Sequence, residues 1–233
     1  MRYDITNIPV AEVFEERDGC PLCRLRDQLE QRVVEYITGA AMMEPDIRIQ
    51  TNKQGFCIDH YRQMLARRNR LSVALILESH LDEMEKEIFD GLPLVGKSPR
   101  RQEKAATRRM DDCWVCNQMR DTIDKMLATV CRTWETQKDF QRLFEEQPCL
   151  CLPHFAALSQ TAQKVISKKE QSYFLRAAAE LTRKYLKELR GDVHHFTEMY
   201  DYRNAGANSD ADWGNSKDAV ERTVRFLTSR PVK

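Results

Sequence analysis

Four short Cys/His pairs constrain this chain more than any other feature: Cys20 and Cys23, Cys57 and His60, Cys113 and Cys116, Cys151 and His154. They repeat the order C-x-x-C then C-x-x-H, with 33 residues between the pairs in the first copy and 34 in the second. Near-equal spacing of a doubled pattern implies an internal duplication in which each copy carries a Cys3His metal site. This bounds the chemistry closely and the biological role loosely.

The expected fold is all-α, a helical bundle built from that duplication. Only 8 Gly and 8 Pro interrupt 233 residues, and Leu, Glu, Lys, Arg and Ala fill the long stretches between them. In the first copy a helix is expected over 20–41, with Leu22, Leu25, Leu29, Val33 and Ile37 at three- and four-residue steps and Pro21 in its first turn. Pro45 reads as its stop, followed by a looser segment over 46–55, a helix beginning near Cys57 and a long helix over 71–89. Two prolines and two glycines make 91–99 the best linker. The second copy repeats the order with helices over 113–134, 139–146 and 169–200, then a polar run over 204–215 that reads as mobile and a last helix over 218–227. The domain expectation is a first repeat over 1–90, a linker over 91–103 and a second repeat over 104–233.

Two cysteines at i and i+3 on a first helical turn share a face, and the helix dipole there stabilises thiolates. Two such helix ends meeting would present three sulfurs and one imidazole in a closed tetrahedral shell, a structural site rather than a catalytic one. Zinc, two ions per chain, is the default metal for such donors, and an iron-sulfur cluster is the competitor that spacing does not discriminate. The pairs are expected to combine within each copy, with the crossed pairing of Cys20 and Cys23 with Cys151 and His154 left open. Cys131 reads as a small core residue. Cys149, two before Cys151, is not among the expected ligands, and an alternate ligand is its lesser reading.

Other signals weigh less. Cys20-Pro21-Leu22-Cys23 has the form of a redox dithiol, but no β-strand precedes it. Residues 91–98 match the P-loop pattern letter for letter, yet a charged helix precedes them and Pro99 follows, so the match is coincidental. Arg100, Arg101, Lys104, Arg108 and Arg109 read as a solvated helix face, His80 as a packing histidine, and His194 and His195 as helix-end residues. No catalytic constellation can be assembled, so an enzyme is not the expectation.

With 37 basic against 36 acidic residues, net charge selects neither nucleic acid nor membrane. No signal-peptide apolar stretch precedes Cys20, and no apolar run approaches the roughly 18 to 20 residues of a membrane span. The expectation is a cytoplasmic chain, where thiols stay reduced and patterned cysteines hold metal. Its function is expected to be that of a zinc-binding module or adaptor for a protein partner. The alternative is a redox or metal-sensing protein.

The segments Ile8-Pro9-Val10-Ala11-Glu12-Val13-Phe14, Asp18-Gly19-Cys20-Pro21-Leu22-Cys23 and Gly55-Phe56-Cys57 to His60 resemble a bacterial domain of unknown function, family six-zero-six-two. The likeness continues at Asp201-Tyr202-Arg203, Trp213-Gly214, Lys217-Asp218-Ala219 and Arg225-Phe226-Leu227. It implies a bacterial setting, supports the Cys/His positions and implies no reaction. The asparagine-rich stretch over 204–208 departs from the family pattern.

Overall fold

A computed structural model describes residues 10–89, 100–201 and 213–230. Among these residues the chain is all-helical, with no strand. The helices are α1 (Val10–Glu15), α2 (Pro21–Thr38), α3 (Pro45–Gln54), α4 (Ile58–Ala66), α5 (Arg70–Met84), α6 (Arg100–Asp111), α7 (Trp114–Thr136), α8 (Lys138–Glu145), α9 (Leu152–Val165), α10 (Lys168–Met199) and α11 (Ala219–Thr228). Both the expected linker over 91–99 and positions 204–212 of the polar run lie outside the described residues. Residues 100–103, placed in the linker by sequence, form the first turn of α6.

Two compact units emerge, each drawing chain from both halves of the sequence. One contains Gln28–Thr122, the other Ile8–Asp27 with Ile123–Lys233. Below they are the first and second units. Their boundaries fall inside α2 and α7.

In the first unit α3 lies against α5. Sequence patterning misses α3 because Pro45 reads as a stop. It occupies the first helical turn instead, where its missing N–H costs nothing. The helix carries only Ile47 and Ile49 as large apolar residues, so it shows little amphipathic signal. Tertiary hydrogen bonds hold it: Arg48 Nη2 donates to Leu75 O at 2.7 Å, and Ser79 Oγ donates to Asn52 Oδ1 at 2.8 Å. Asn69 caps α5 by accepting from Ser72 N–H at 3.3 Å. A π-helical turn, Glu85–Phe89, ends that helix. Met64, Ile76 and Val73 are buried among these helices.

The second unit is organised by aromatic packing. Phe14 of α1 sits 5.0 Å from Phe140 and 5.9 Å from Phe144, both on α8, and Phe144 reaches Phe174 of α10 at 5.4 Å. Trp134 at the end of α7 meets Phe174 edge-on at 5.2 Å. Gln147 donates to Phe14 O at 2.6 Å, fastening α1 beside α8. Helix α11 lies against α9 and α10, with Tyr185 and Phe226 rings 5.9 Å apart.

Candidate metal centres

Each Cys/His pair opens a helix. Cys57 and Cys151 are the N-cap residues of α4 and α9, with extended backbone at φ −75° and −72°, and their carbonyls accept the first helical bonds from Tyr61 and Phe155 at 3.0 and 2.9 Å. Cys20 and Cys113 immediately precede α2 and α7 in the same way, their carbonyls accepting from Arg24 at 3.3 Å and Asn117 at 3.0 Å. The second residue of every pair falls three positions later, on the first turn. Each donor set therefore stands where unpaired backbone N–H groups favour negative charge.

The within-copy pairing expected from sequence is not what the fold brings together. Cys57 and His60 meet Cys113 and Cys116 in the first unit, and Cys20 and Cys23 meet Cys151 and His154 in the second. Each C-x-x-C joins the C-x-x-H of the other half, the crossed arrangement. Spacing along the chain is the same for both arrangements, so only the packing of the helices decides between them.

Both groups have the dimensions of a single-ion shell. A tetrahedron with metal–sulfur bonds of about 2.3 Å and metal–nitrogen bonds of about 2.0 Å has edges of about 3.8 Å (S to S) and about 3.5 Å (S to N). In the second unit Cys23 Sγ lies 3.6 Å from Cys151 Sγ, and His154 Nδ1 lies 3.6, 3.5 and 3.0 Å from the sulfurs of Cys20, Cys23 and Cys151. In the first, Cys57 and Cys116 sulfurs are 3.9 Å apart, and His60 Nδ1 lies 3.1, 3.3 and 3.5 Å from those of Cys57, Cys113 and Cys116. All ligand atoms in each group lie within 4.8 Å of one another, and every cysteine is a free thiol rather than half of a disulfide. The residues present fit a metal ion.

The surroundings differ. His60 Nε2 lies 3.0 Å from Glu30 Oε1, a carboxylate that orients the ring and leaves Nδ1 facing the sulfurs. Nothing in the Cys/His spacing marks Glu30; its signal is an acidic residue on the α2 stripe shared with Val33 and Ile37. Among the described residues no carboxylate makes this contact with His154. The Cys20 group is instead roofed by the end of α11: Cys23 Sγ donates to Ser229 O at 3.8 Å and Arg26 Nη1 to Ser229 Oγ at 2.8 Å. Cys149 is buried and, with Cys20, Cys23 and Cys151, lines a small cavity of about 120 Å³ there.

The side chains polarise one another. Burial works against charge on His60, but Cys113, Glu30 and Cys57 outweigh it and raise the imidazole to about 10. Burial likewise opposes the Cys113 thiolate, yet the His60 contact lowers it to about 6. Cys116 is pushed up to about 12 by burial and by the charge of Cys113. In the second unit burial opposes ionisation of Cys20, and contacts from Cys151, Cys23 and His154 hold it well below the usual thiol range. Each group thus stabilises thiolate before any cation arrives.

Gly55 sets the approach to Cys57. Its φ of 66° closes α3, its carbonyl accepts from Trp114 N–H at 2.9 Å, and a Cβ there would stand 2.9 Å from His80 Nε2. His80 is the packing histidine expected, buried with Nδ1 2.8 Å from Asn52 O. Arg109, expected on a solvated face, is buried: it pairs with Glu87 and donates to Asn52 O at 2.6 Å. Periodicity could not reveal carbonyls gathered at the end of α3. His194 and His195 sit on exposed turns near the end of α10, beside Glu198.

The profile of the Family of unknown function (DUF6062) matches residues 1–233, the whole chain. The chain belongs to this family. Neither curated proteins nor solved structures give a significant match. Membership therefore brings no reaction with it. Among the described residues no helix is long and apolar enough to cross a membrane.

Proposed function

We propose that each crossed group holds one zinc ion, and that the two ions fix helix junctions in a cytoplasmic bacterial protein whose role is to bind another protein. The observation that carries this reading is the match of both donor sets to the edges of a single-ion tetrahedron. An iron-sulfur cluster spreads its four protein ligands over two or more irons, whereas all four donor atoms of each group lie within 4.8 Å of one another. Four protein donors leave no position for water, which favours structure over catalysis. The parallel order of α2 to α5 and α7 to α10, each with its ligand pairs at corresponding helix starts, supports an ancestral duplication.

The partner-binding role is supported by a groove of about 1140 Å³ in the second unit, between the end of α7, α8 and α10. Lys138, Lys169, Arg176, Arg183, Lys184 and Lys187 border it around Tyr173, which is 58% exposed, and outnumber the acidic Glu145, Glu170 and Glu180. Such a lining suits a segment rich in carboxylates. Elemental analysis of untagged protein purified without oxygen, with an absorption spectrum of the same sample, tests the metal reading. About two zinc per chain with no visible band is expected, while iron with acid-labile sulfide, or no metal, would overturn it.

A further inference from the structure

The Cys20 group has a fifth donor beside it, a sulfur that a closed Cys3His shell does not use. Four cysteines, Cys20, Cys23, Cys149 and Cys151, line one partly enclosed cavity of about 120 Å³. Cys149 is 5% exposed and lines the same cavity as the ligands, and among the described residues its thiol makes no hydrogen bond. The Cys57 group has no counterpart. The remaining cysteines, Cys131 and Cys149, both belong to the second unit.

The cavity's other walls suit a small polar oxidant. Arg222 and Arg225 line it, with Asp18, Gly19, Tyr185 and Phe226. Arg222 is held in place by Asp192 and Asp218, each at 2.8 Å, and Arg225 lies 3.4 Å from Asp27. Two guanidinium groups favour the negative charge that develops on a departing hydroxide. A volume of about 120 Å³ admits a molecule the size of a few waters and excludes a bulky hydroperoxide.

We propose that Cys149 is an oxidation site: hydrogen peroxide entering this cavity converts Cys149 and one ligand of the Cys20 group into a disulfide, releasing the metal from the second unit. The proposal rests on the zinc reading of that group. In the first step a ligand thiolate attacks one peroxide oxygen, the O–O bond breaks, and the proton of the newly formed S–OH passes to the departing hydroxide, giving water and leaving a sulfenate. In the second step the sulfenate takes up a proton and the Cys149 thiol displaces its oxygen, forming the S–S bond and a second water. One thiolate, one thiol, one peroxide and one proton give one disulfide and two waters. Sulfur loses two electrons and peroxide gains them. The ligand set then lacks one thiolate, and the zinc leaves.

The experiment treats full-length, zinc-loaded protein with hydrogen peroxide, follows zinc with a chromophoric chelator and maps thiols and disulfides by mass spectrometry. Zinc content before oxidant separates the two claims: a chain carrying no zinc removes the metal reading and this inference with it. With both ions present, about one equivalent is released first, together with a disulfide joining Cys149 to Cys20, Cys23 or Cys151. The Cys149→Ser variant still holds both ions, loses the first about ten-fold more slowly and accumulates a sulfenic acid that dimedone traps. Cumene hydroperoxide, too large for the cavity, releases zinc more slowly than hydrogen peroxide from the unaltered chain. Release at an equal rate from Cys149→Ser, a free Cys149 thiol after release, or earlier loss from the Cys57 group would overturn the proposal.

Discussion

The Cys57 and Cys20 groups use the same four donor types at the same helix positions, yet they stand in different surroundings. In the first unit Cys57 and Cys116 are half-buried and His60 is braced by Glu30. In the second, Cys20 is the most accessible of its four at 9% exposure, while Cys149 and a roof of α11 residues replace the carboxylate brace. A shared donor set therefore does not imply a shared role. The bracing carboxylate suits permanent retention, whereas a spare thiol in a cavity suits a site that can be opened.

The largest effect that sharpens this contrast comes from removing a ligand on each side. Cys23→Ser should cost about one zinc and roughly 3 to 5 kcal/mol, because the buried sulfur faces Cys151, His154 and the Ser229 carbonyl together. Cys116→Ser, at a half-buried sulfur, should also lose its ion but with a smaller drop in thermal midpoint. Calorimetry with metal analysis compares them; equal losses of stability would erase the distinction in burial.

Next in size are the glycines ahead of each group. Gly55→Ala meets both a positive φ of 66° and the His80 ring 2.9 Å away, so it should cost about 2 to 3 kcal/mol in denaturant unfolding. Gly19, before Cys20, has φ 148° with no atom within 4 Å of the place a Cβ would take, and Gly19→Ala should cost only about 1 kcal/mol. A reversed order would contradict the packing of α3 against Cys57's approach.

Glu30→Gln probes the brace itself. Losing the carboxylate should weaken zinc at the Cys57 group about ten-fold and leave the Cys20 group unchanged, as read by competition with a chelator of known affinity. No change at either group would show that Glu30 does not tune the ligand.

The smallest effect is the pH response of metal-stripped protein. His60 rises from 6.5 to about 10, so its stabilisation is complete below 6.5 and lost as pH climbs through 10. Cys113 falls from 9.0 to about 6, so its stabilisation is complete above 9.0 and lost as pH drops through 6. Between 6.5 and 9.0 the His60 and Cys113 contributions cancel while Cys20, also held low, still adds stability, so unfolding midpoints should rise toward 9.0 and decline above it. An NMR titration in which the His60 ring loses its proton near 6.5 would mean the thiolate–imidazolium pair does not form.

The helices are legible where apolar residues recur, as at Leu22, Leu25, Leu29, Val33 and Ile37, all buried. The helix α3 is not, since its stability comes from bonds such as Arg48 to Leu75 that periodicity cannot register. The eight Cys/His positions are legible as sets of donors because metal-ligand spacing is local. Their crossed partnership is not, because it depends on which helix ends meet, a property of the folded chain. Glu30 and the burial of Arg109 are hidden for the same reason: each answers to a group distant in sequence, His60 in one case and the Asn52 carbonyl in the other.

The most direct test of the crossed metal centres is cysteine alkylation of zinc-loaded Cys57→Ser, read residue by residue by mass spectrometry. Crossed pairing predicts that Cys113 and Cys116 become reactive while Cys20, Cys23 and Cys151 stay protected. Loss of protection at Cys20 and Cys23 with Cys113 and Cys116 unchanged would contradict it.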